Sequence, residues 1–194
     1  MNFLKELNFL KLQQATHADL DTIIDILSDG SNQLAESGVD QWQGDYPSRD
    51  QINYDIDHGF AYLANSDDAE TVGALAVVNA PDPSYDTMTG TWLLDSNAYI
   101  VIHRVAIHSN HAGNGYATQL FEAVIHHVID EHPEIQSIRI DTHADNKPMQ
   151  HLIAKMGFTK VGEIHGVYHP ADVSYVYEML PHAGQHTHSH PQAS

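Results

Sequence analysis

The sequence predicts an α+β fold, a single mixed sheet with parallel and antiparallel neighbours covered by helices. Three observations carry that reading. Strand-like and helix-period runs follow the order β, α, α, β, β, β, α, β, α, β, β. Two β-rich runs sit early around the polar break "SDDAE", as in a hairpin, and two more strand-like runs close the chain. Past mid-chain, "YIVIHRVAIHS" runs through a short glycine-bearing stretch into a segment of three- and four-residue apolar period, so a strand feeds a helix.

Residues 10–15 read as a short first strand, and "THADLDTIIDILSDG" as a helix with Thr16 as N-cap and Leu20, Ile23, Ile24 and Leu27 on its apolar face. The stretch that follows is helical at both ends and broken by "GVDQWQGDYP", with a second helix starting after Pro47 or Ser48. "FAYLAN" and "TVGALAVVNA" form the hairpin, and the Pro-, Asp- and Gly-rich "PDPSYDTMTGTWLLDSNA" is an excursion of the size of a functional loop. Residues 99–109 are the strongest strand. Ala117, Leu120, Phe121, Val124, Ile125, Val128 and Ile129 mark the helix after it. "SIRIDTHA" is a strand, "NKPMQHLIAKMGF" a short helix ending at Gly157, and "TKVGEIHGVY" and "VSYVYEML" the last two strands.

The 194 residues suit one domain, residues 10–181, with an N-terminal extension over 1–9 and a disordered His-rich tail over 182–194. The chain holds 26 acidic residues against 8 basic ones, a formal charge of −18, which excludes a nucleic-acid backbone as partner. The acidity serves solubility or draws in a cationic substrate. With no cysteine, disulfides, thiolate metal sites and a cysteine acyl-enzyme are all ruled out, as fits a reducing cytoplasm. "MNFLKELNFLKL" carries Lys5, Glu6 and Lys11 among its apolar residues, so it reads neither as a signal peptide nor as a membrane span. A cytoplasmic protein without membrane attachment is expected.

"HAGNGYAT" stands between the strongest strand and the helix that follows it. Free amides at a helix start, the positive end of its dipole and small residues together suit an anion, a phosphate above all. Gly113, Gly115 and Ala117 supply the smallness at alternate positions, and Thr118 adds a hydroxyl. A tight turn needing positive φ would use the same glycines. No G-x-x-x-x-G-K-[ST] is present, and a dinucleotide fold would want glycine where Thr118 stands, so both of those phosphate loops are set aside.

These residues resemble the GNAT family of N-acetyltransferases. Residues 99–129 are similar to that family's central strand, pyrophosphate loop and following helix. "IRIDTHADNKPMQHLIAKMGFTKVGEI" is similar to its next strand, helix and "GF" strand start. The resemblance, spanning about residues 10–180, implies a central mixed, mostly antiparallel sheet flanked by helices, acetyl-coenzyme A as donor, and a primary amine of a small molecule or peptide as acceptor. A homodimer is the family-level expectation. In the Arg/Gln-x-x-Gly-x-Gly/Ala loop the match runs Ala112, Gly113, Asn114, Gly115, Tyr116 and Ala117, with Thr118 opening the helix. Ala112 thus departs from Arg or Gln. The resemblance also assigns Val105, Ala106 and Ile107 to the pantetheine arm through main-chain groups, and Asn146 to a polar contact with that arm. Ile153 stands where family members often carry the tyrosine that protonates the leaving thiolate. The loop between the first two helices shapes the acceptor pocket in this family, which nominates Trp42, Asp45 and Tyr46: two aromatic walls and a carboxylate for a cation.

Transfer to an amine needs a neutral amine, a polarised carbonyl and a proton for the leaving thiolate. With no cysteine and no G-x-S-x-G, direct attack is simpler than an acyl-enzyme. His103 on the central strand is the candidate base, its type titrating near ~6.5; the alternative is a histidine that merely packs. Asp141 and His143 follow it as candidates. With Ile153 unable to donate, either Tyr168, Tyr175 or Tyr177 serves as the acid, Tyr168 first, or the thiolate leaves through water. Alternation of strand faces predicts that only one of His103 and Arg104 points at the donor. His182, His186, His188 and His190 form a metal-binding pattern without fixed geometry, and no metal site is expected.

Overall fold

The computed structural model describes residues 10–181; the expected extension and tail, with their histidines, lie outside them. The strands are β1 (Lys11–Gln14), β2 (Ala61–Asn65), β3 (Thr71–Asn79), β4 (Thr89–Gly90), β5 (Tyr99–Ile107), β6 (Ser137–His143), β7 (Thr159–His165) and β8 (Val173–Met179). The helices are α1 (Leu20–Glu36), α2 (Arg49–Asp57), α3 (Tyr116–Glu131) and α4 (Lys147–Lys155). One eight-stranded sheet runs β1-β2-β3-β5-β6-β8-β7-β4. Its pairs are antiparallel except β5 with β6, which the helical crossover through α3 makes parallel. No helix of the described residues is long and apolar enough to cross a membrane.

Each sheet face is covered because each carries its own apolar set. Leu120, Phe121 and Val124 of α3 and Ile153 of α4 pack on Leu75, Val77, Ile100, Ile102 and Ile138. On the other face Ile23, Ile26 and Leu27 of α1 and Ile52 and Ile56 of α2 pack on Ala61, Leu63, Ala74 and Ala106. The excursion of residues 80–98 covers the rest of that second face, burying Tyr85 against Tyr99, Val101, Ile164 and Val176.

Two details depart from the sequence reading. The helix read as ending near "SDG" runs on through Gly30, whose absent side chain admits its neighbours: a Cβ there would stand 3.2 Å from Ala106 Cβ and 3.4 Å from the Trp42 ring. The excursion is not all loop, since Thr89 and Gly90 pair with Glu163 and Gly162 at the sheet edge. A two-residue strand offers no periodicity to read. The second helix begins where expected, with Ser48 Oγ accepting from Gln51 N at 3.1 Å.

Candidate active site

The parallel ladder between β5 and β6 ends at Val101 and Arg139, and beyond it the strands diverge. A cleft opens there, with three cavities along it that share wall residues. The first, about 440 Å³, is walled by Val105, Ala106 and Ile107 of β5, Ala117 of α3, and Asn146 and Met149 at α4. The second, a neck of about 30 Å³, shares Trp42, Val105 and Met149 with the first. The third, about 300 Å³, shares Tyr46, His103, Asp141 and Tyr168 with the neck.

At the outer end of the first cavity β5 passes through a 3-10 turn into the glycine junction. Gly113 and Gly115 have φ of 80° and 72°, and a Cβ on either would meet open space. The turn therefore needs both glycines for their backbone conformation, and the space in front of them stays free. As N-cap, Gly115 offers no side chain to α3. Gln119 N donates to Gly115 O at 3.2 Å, whereas the amides of Gly113, Asn114, Gly115, Tyr116, Ala117 and Thr118 meet no acceptor among the described residues. Six consecutive free donors at a helix start fit a pyrophosphate. Ala112 is extended and exposed beside them. Asn146 is buried with its side chain committed: its oxygen accepts from Met149 N at 3.2 Å and its nitrogen donates to Gln41 Oε1 at 2.9 Å.

In the neck, Arg104 and Val105 of β5 stand opposite the single Leu75 of β3, a bulge between the pairs His103–Ala76 and Ala106–Ala74. Arg104 takes φ of 54°. The bulge breaks the alternation of faces, so His103 and Arg104 both reach the neck, against the expectation that only one would. The strained backbone is held by buried partners: Arg104 Nε lies 2.7 Å from Asp55 Oδ2, Nη2 donates to Asp55 Oδ1 at 2.9 Å, and Nη1 donates to the Tyr46 hydroxyl at 3.2 Å.

His103 lies between two carboxylates that approach from different elements. Its Nε2 is 2.6 Å from Asp82 Oδ2 and its Nδ1 is 3.9 Å from Asp141 Oδ1. Asp82 Oδ1 accepts from Ser84 N at 2.9 Å, and the Tyr85 hydroxyl donates to Asp141 Oδ1 at 3.1 Å. Burial alone would raise the Asp82 carboxyl, but the hydrogen bond and charge of His103, with Ser84, override it and hold Asp82 well below the usual carboxylate range. Burial pushes the Asp141 carboxyl up, against the pull of His103 and Tyr85. The Asp82 contact orients the His103 ring through Nε2 and leaves Nδ1 on the side of Asp141.

The family model of the acetyltransferase (GNAT) family matches residues 28–158, which run from within α1 through the glycine junction and α4. This chain belongs to the GNAT family. No curated protein sequence matches it. Among solved structures it is similar to a GNAT-family acetyltransferase from Streptococcus agalactiae, with 28% identity over 88% of this chain and 95% of that one and a TM-score of 0.77. A GNAT-family acetyltransferase from Listeria monocytogenes, 21% identical, covers 88% of this chain and 94% of its own with a TM-score of 0.67. An acetyltransferase from Salmonella typhimurium that modifies the N-terminal serine of ribosomal protein L7/L12, 19% identical, covers 89% and 95% with a TM-score of 0.63. At those identities the last two share the fold.

In this GNAT member most of the nominated residues meet along the cleft. Asp45 does not: it is exposed and lines a separate cavity of about 570 Å³ between α1 and α2, while Trp42 and Tyr46 line the neck. Tyr168 sits on the turn after β7 and not in the strand read for it, because β7 ends at His165. Burial pushes its hydroxyl well above the ordinary tyrosine value, aided by Asp141 and Tyr46. It therefore stays protonated beside the neck. Tyr175 lies under the Lys160 ammonium at 3.1 Å, and Tyr177 packs in the core under α3 and α4; neither lines the cleft. Ile153 is fully buried in that same core. His143 is buried and directed at Asp172 and Asp145, away from His103. Asp82, Tyr85 and Gln41 escape a reading by sequence alone. Their one signal is an Asp- and Pro-rich excursion placed just before the central strand. Among the described residues no group of three or more His, Asp or Glu is disposed to hold a metal.

Proposed function

We propose that this chain is an acetyl-coenzyme A-dependent N-acetyltransferase that transfers the acetyl group directly to a primary amine of a small molecule or peptide. The observation that carries this reading is the succession of cavities with shared walls that leads from Ala117, beside a row of unpaired amides, to His103. Ala112, Gly113, Asn114, Gly115, Tyr116, Ala117 and Thr118 receive the pyrophosphate. The stretch of β5 that β6 leaves unpaired, at Val105, Ala106 and Ile107, receives the pantetheine arm as a strand edge receives a peptide, beside Gln33, whose Nε2 donates to Ile107 O at 3.0 Å. Asn146 shapes the wall beside it through its bonds to Gln41 and the start of α4. When bound, acetyl-coenzyme A supplies the acetyl group and leaves as a thiol.

His103 removes one proton from the acceptor ammonium at Nδ1 while Asp82 holds Nε2–H, and the resulting imidazolium rests between two carboxylates. Tyr168 donates to the departing sulfur and recovers a proton from the acylated nitrogen, so the net release is one proton through His103. Trp42 and Tyr46 form the walls. The buried Ile153, where a tyrosine is usual, supports a second reading in which the chain is a non-catalytic acyl-coenzyme A sensor.

Thiol release across a panel of amines separates the two. The chain has no cysteine, so its own background is nil. Turnover that falls ~10² to 10⁴-fold in His103→Gln, with thermal stabilisation by acetyl-coenzyme A retained, is the expected result. A ligand at 100 times its Kd adds about 2.7 kcal/mol. Stabilisation without turnover on any amine establishes the sensor instead.

A further inference from the structure

The acceptor end of the cleft carries a charge pattern that selects among amines. Its cavity of about 300 Å³ is lined by Tyr46, Ser84, Thr87, Asp141, Val167 and Tyr168, with His103 and His165, and by no lysine or arginine. Arg104 stands nearby, but its guanidinium is taken up by both oxygens of Asp55. It has no charge left for a carboxylate on the substrate.

Asp141 is the counterpart. Its side chain is 8% exposed, and Oδ1 carries its contacts with Tyr85 and His103. Oδ2 has no hydrogen-bond partner among the described residues, although the side chain lines the cavity. A nearly buried carboxylate oxygen left open toward a cavity asks for a donor from outside the chain. Two carboxylates, Asp82 and Asp141, face one imidazole here. Among the described residues Asp141 accepts no hydrogen bond from a lysine or arginine, and burial pushes its carboxyl up, so its ionised form is an undercompensated charge under a low dielectric. An ammonium compensates it, and passing its proton to Nδ1 keeps the positive charge between the same two carboxylates.

We infer that the acceptor is a small primary amine carrying positive charge and no carboxylate. Its ammonium docks on Asp141 Oδ2, and substrates bearing a carboxylate near the amine are rejected by the unpaired negative charge of the site. The inference rests on the acetyltransferase reading for the place of the acceptor and names the class that place accepts. Rejection here works by charge repulsion, which discriminates between partners that fit equally well by shape.

Three four-carbon amines test it: butylamine, 1,4-diaminobutane and 4-aminobutanoate. Calorimetric titration of the full chain, with and without coenzyme A, reads binding independently of turnover. Butylamine and 1,4-diaminobutane bind about tenfold or more tighter than 4-aminobutanoate, and Asp141→Asn brings the three within about threefold. Because Asp141→Asn acts in a buried cluster, a second variant works from the exposed rim. Thr87→Arg adds a cation to the cavity wall and shifts preference toward 4-aminobutanoate by about tenfold. Binding of 4-aminobutanoate within threefold of butylamine, or no binding of butylamine at all, overturns the inference. Thiol release then reads the other proposal. Equal turnover of all three amines leaves acetyl transfer standing and removes the selectivity, whereas selective binding with no turnover removes the transfer and leaves the selectivity.

Discussion

In the proposed mechanism Asp82 orients as the base a histidine that the sequence shows only as one of sixteen. Its carboxylate sits 2.6 Å from His103 Nε2, and that bond decides which ring nitrogen faces the cleft. Asp82→Asn removes the charge while keeping the shape, so kcat falls by ~10 to 10²-fold with KM for acetyl-coenzyme A unchanged; steady-state kinetics with both substrates check the split. The same substitution is visible in stability. The Asp82 carboxyl is held below its unfolded value, so its contribution is present above the ordinary carboxylate range and is lost as pH falls through the folded value. Melting curves for the two proteins therefore differ at pH 7 and converge as the pH drops below about 4. His103 was visible in the sequence as a histidine on the strongest strand. Asp82 was not, because it lies on an excursion whose Asp and Pro content reads as turn chemistry. Only the pairing of β3 with β5 brings the start of that excursion back to His103.

The glycine junction depends on one strand end and one helix start. Periodicity made both visible, as it did the other long elements, because each buries one face on a shared sheet. The bulge at Arg104 was hidden, since it alters pairing by one residue within an unbroken β-rich run. The strand order β6-β8-β7-β4 was hidden as well, being set by tertiary pairing between segments. At the junction the proposed pyrophosphate site consists of main-chain donors, so the missing Arg or Gln at Ala112 is expected to weaken it without removing it. Ala112 is exposed and extended, with room for a longer side chain. Ala112→Arg places a guanidinium beside the free amides and tightens acetyl-coenzyme A by about 3- to 10-fold through a charge-assisted contact. A titration showing no change means that position 112 points away from the phosphates. Because the added charge is exposed, the gain shrinks as salt rises.

Across the whole molecule, the acceptor side of the sheet is closed by a segment with little regular structure of its own, and one buried group fastens it. Glu178 on β8 is fully buried. It accepts from Leu93 N and from Ser137 Oγ, each at 2.5 Å, and pairs with Arg139 Nε at 3.3 Å. The Arg139 guanidinium lies between the Trp92 and Tyr99 rings, 3.7 and 3.8 Å from their centroids, and donates to Ser96 O at 3.3 Å. Strand β6, strand β8 and residues 92–96 are thus tied at one point, and the segment so tied begins with the Asp82 and Tyr85 that address His103 and Asp141. Glu178→Ala leaves Arg139 buried without its counter-charge, at a cost of about 3 to 5 kcal/mol. For a domain of this size that lowers Tm by roughly 10 °C. It also lowers kcat, because Asp82 loses its fixed position, while acetyl-coenzyme A binding on the far side of the neck is spared. Arg139→Met combined with Glu178→Gln removes both charges, keeps an acceptor for Leu93 and recovers at least half of the lost Tm. A Glu178→Ala protein that melts within ~2 °C of the parent shows instead that the segment is held by Tyr85 and its apolar neighbours, and that the buried pair contributes no net stability.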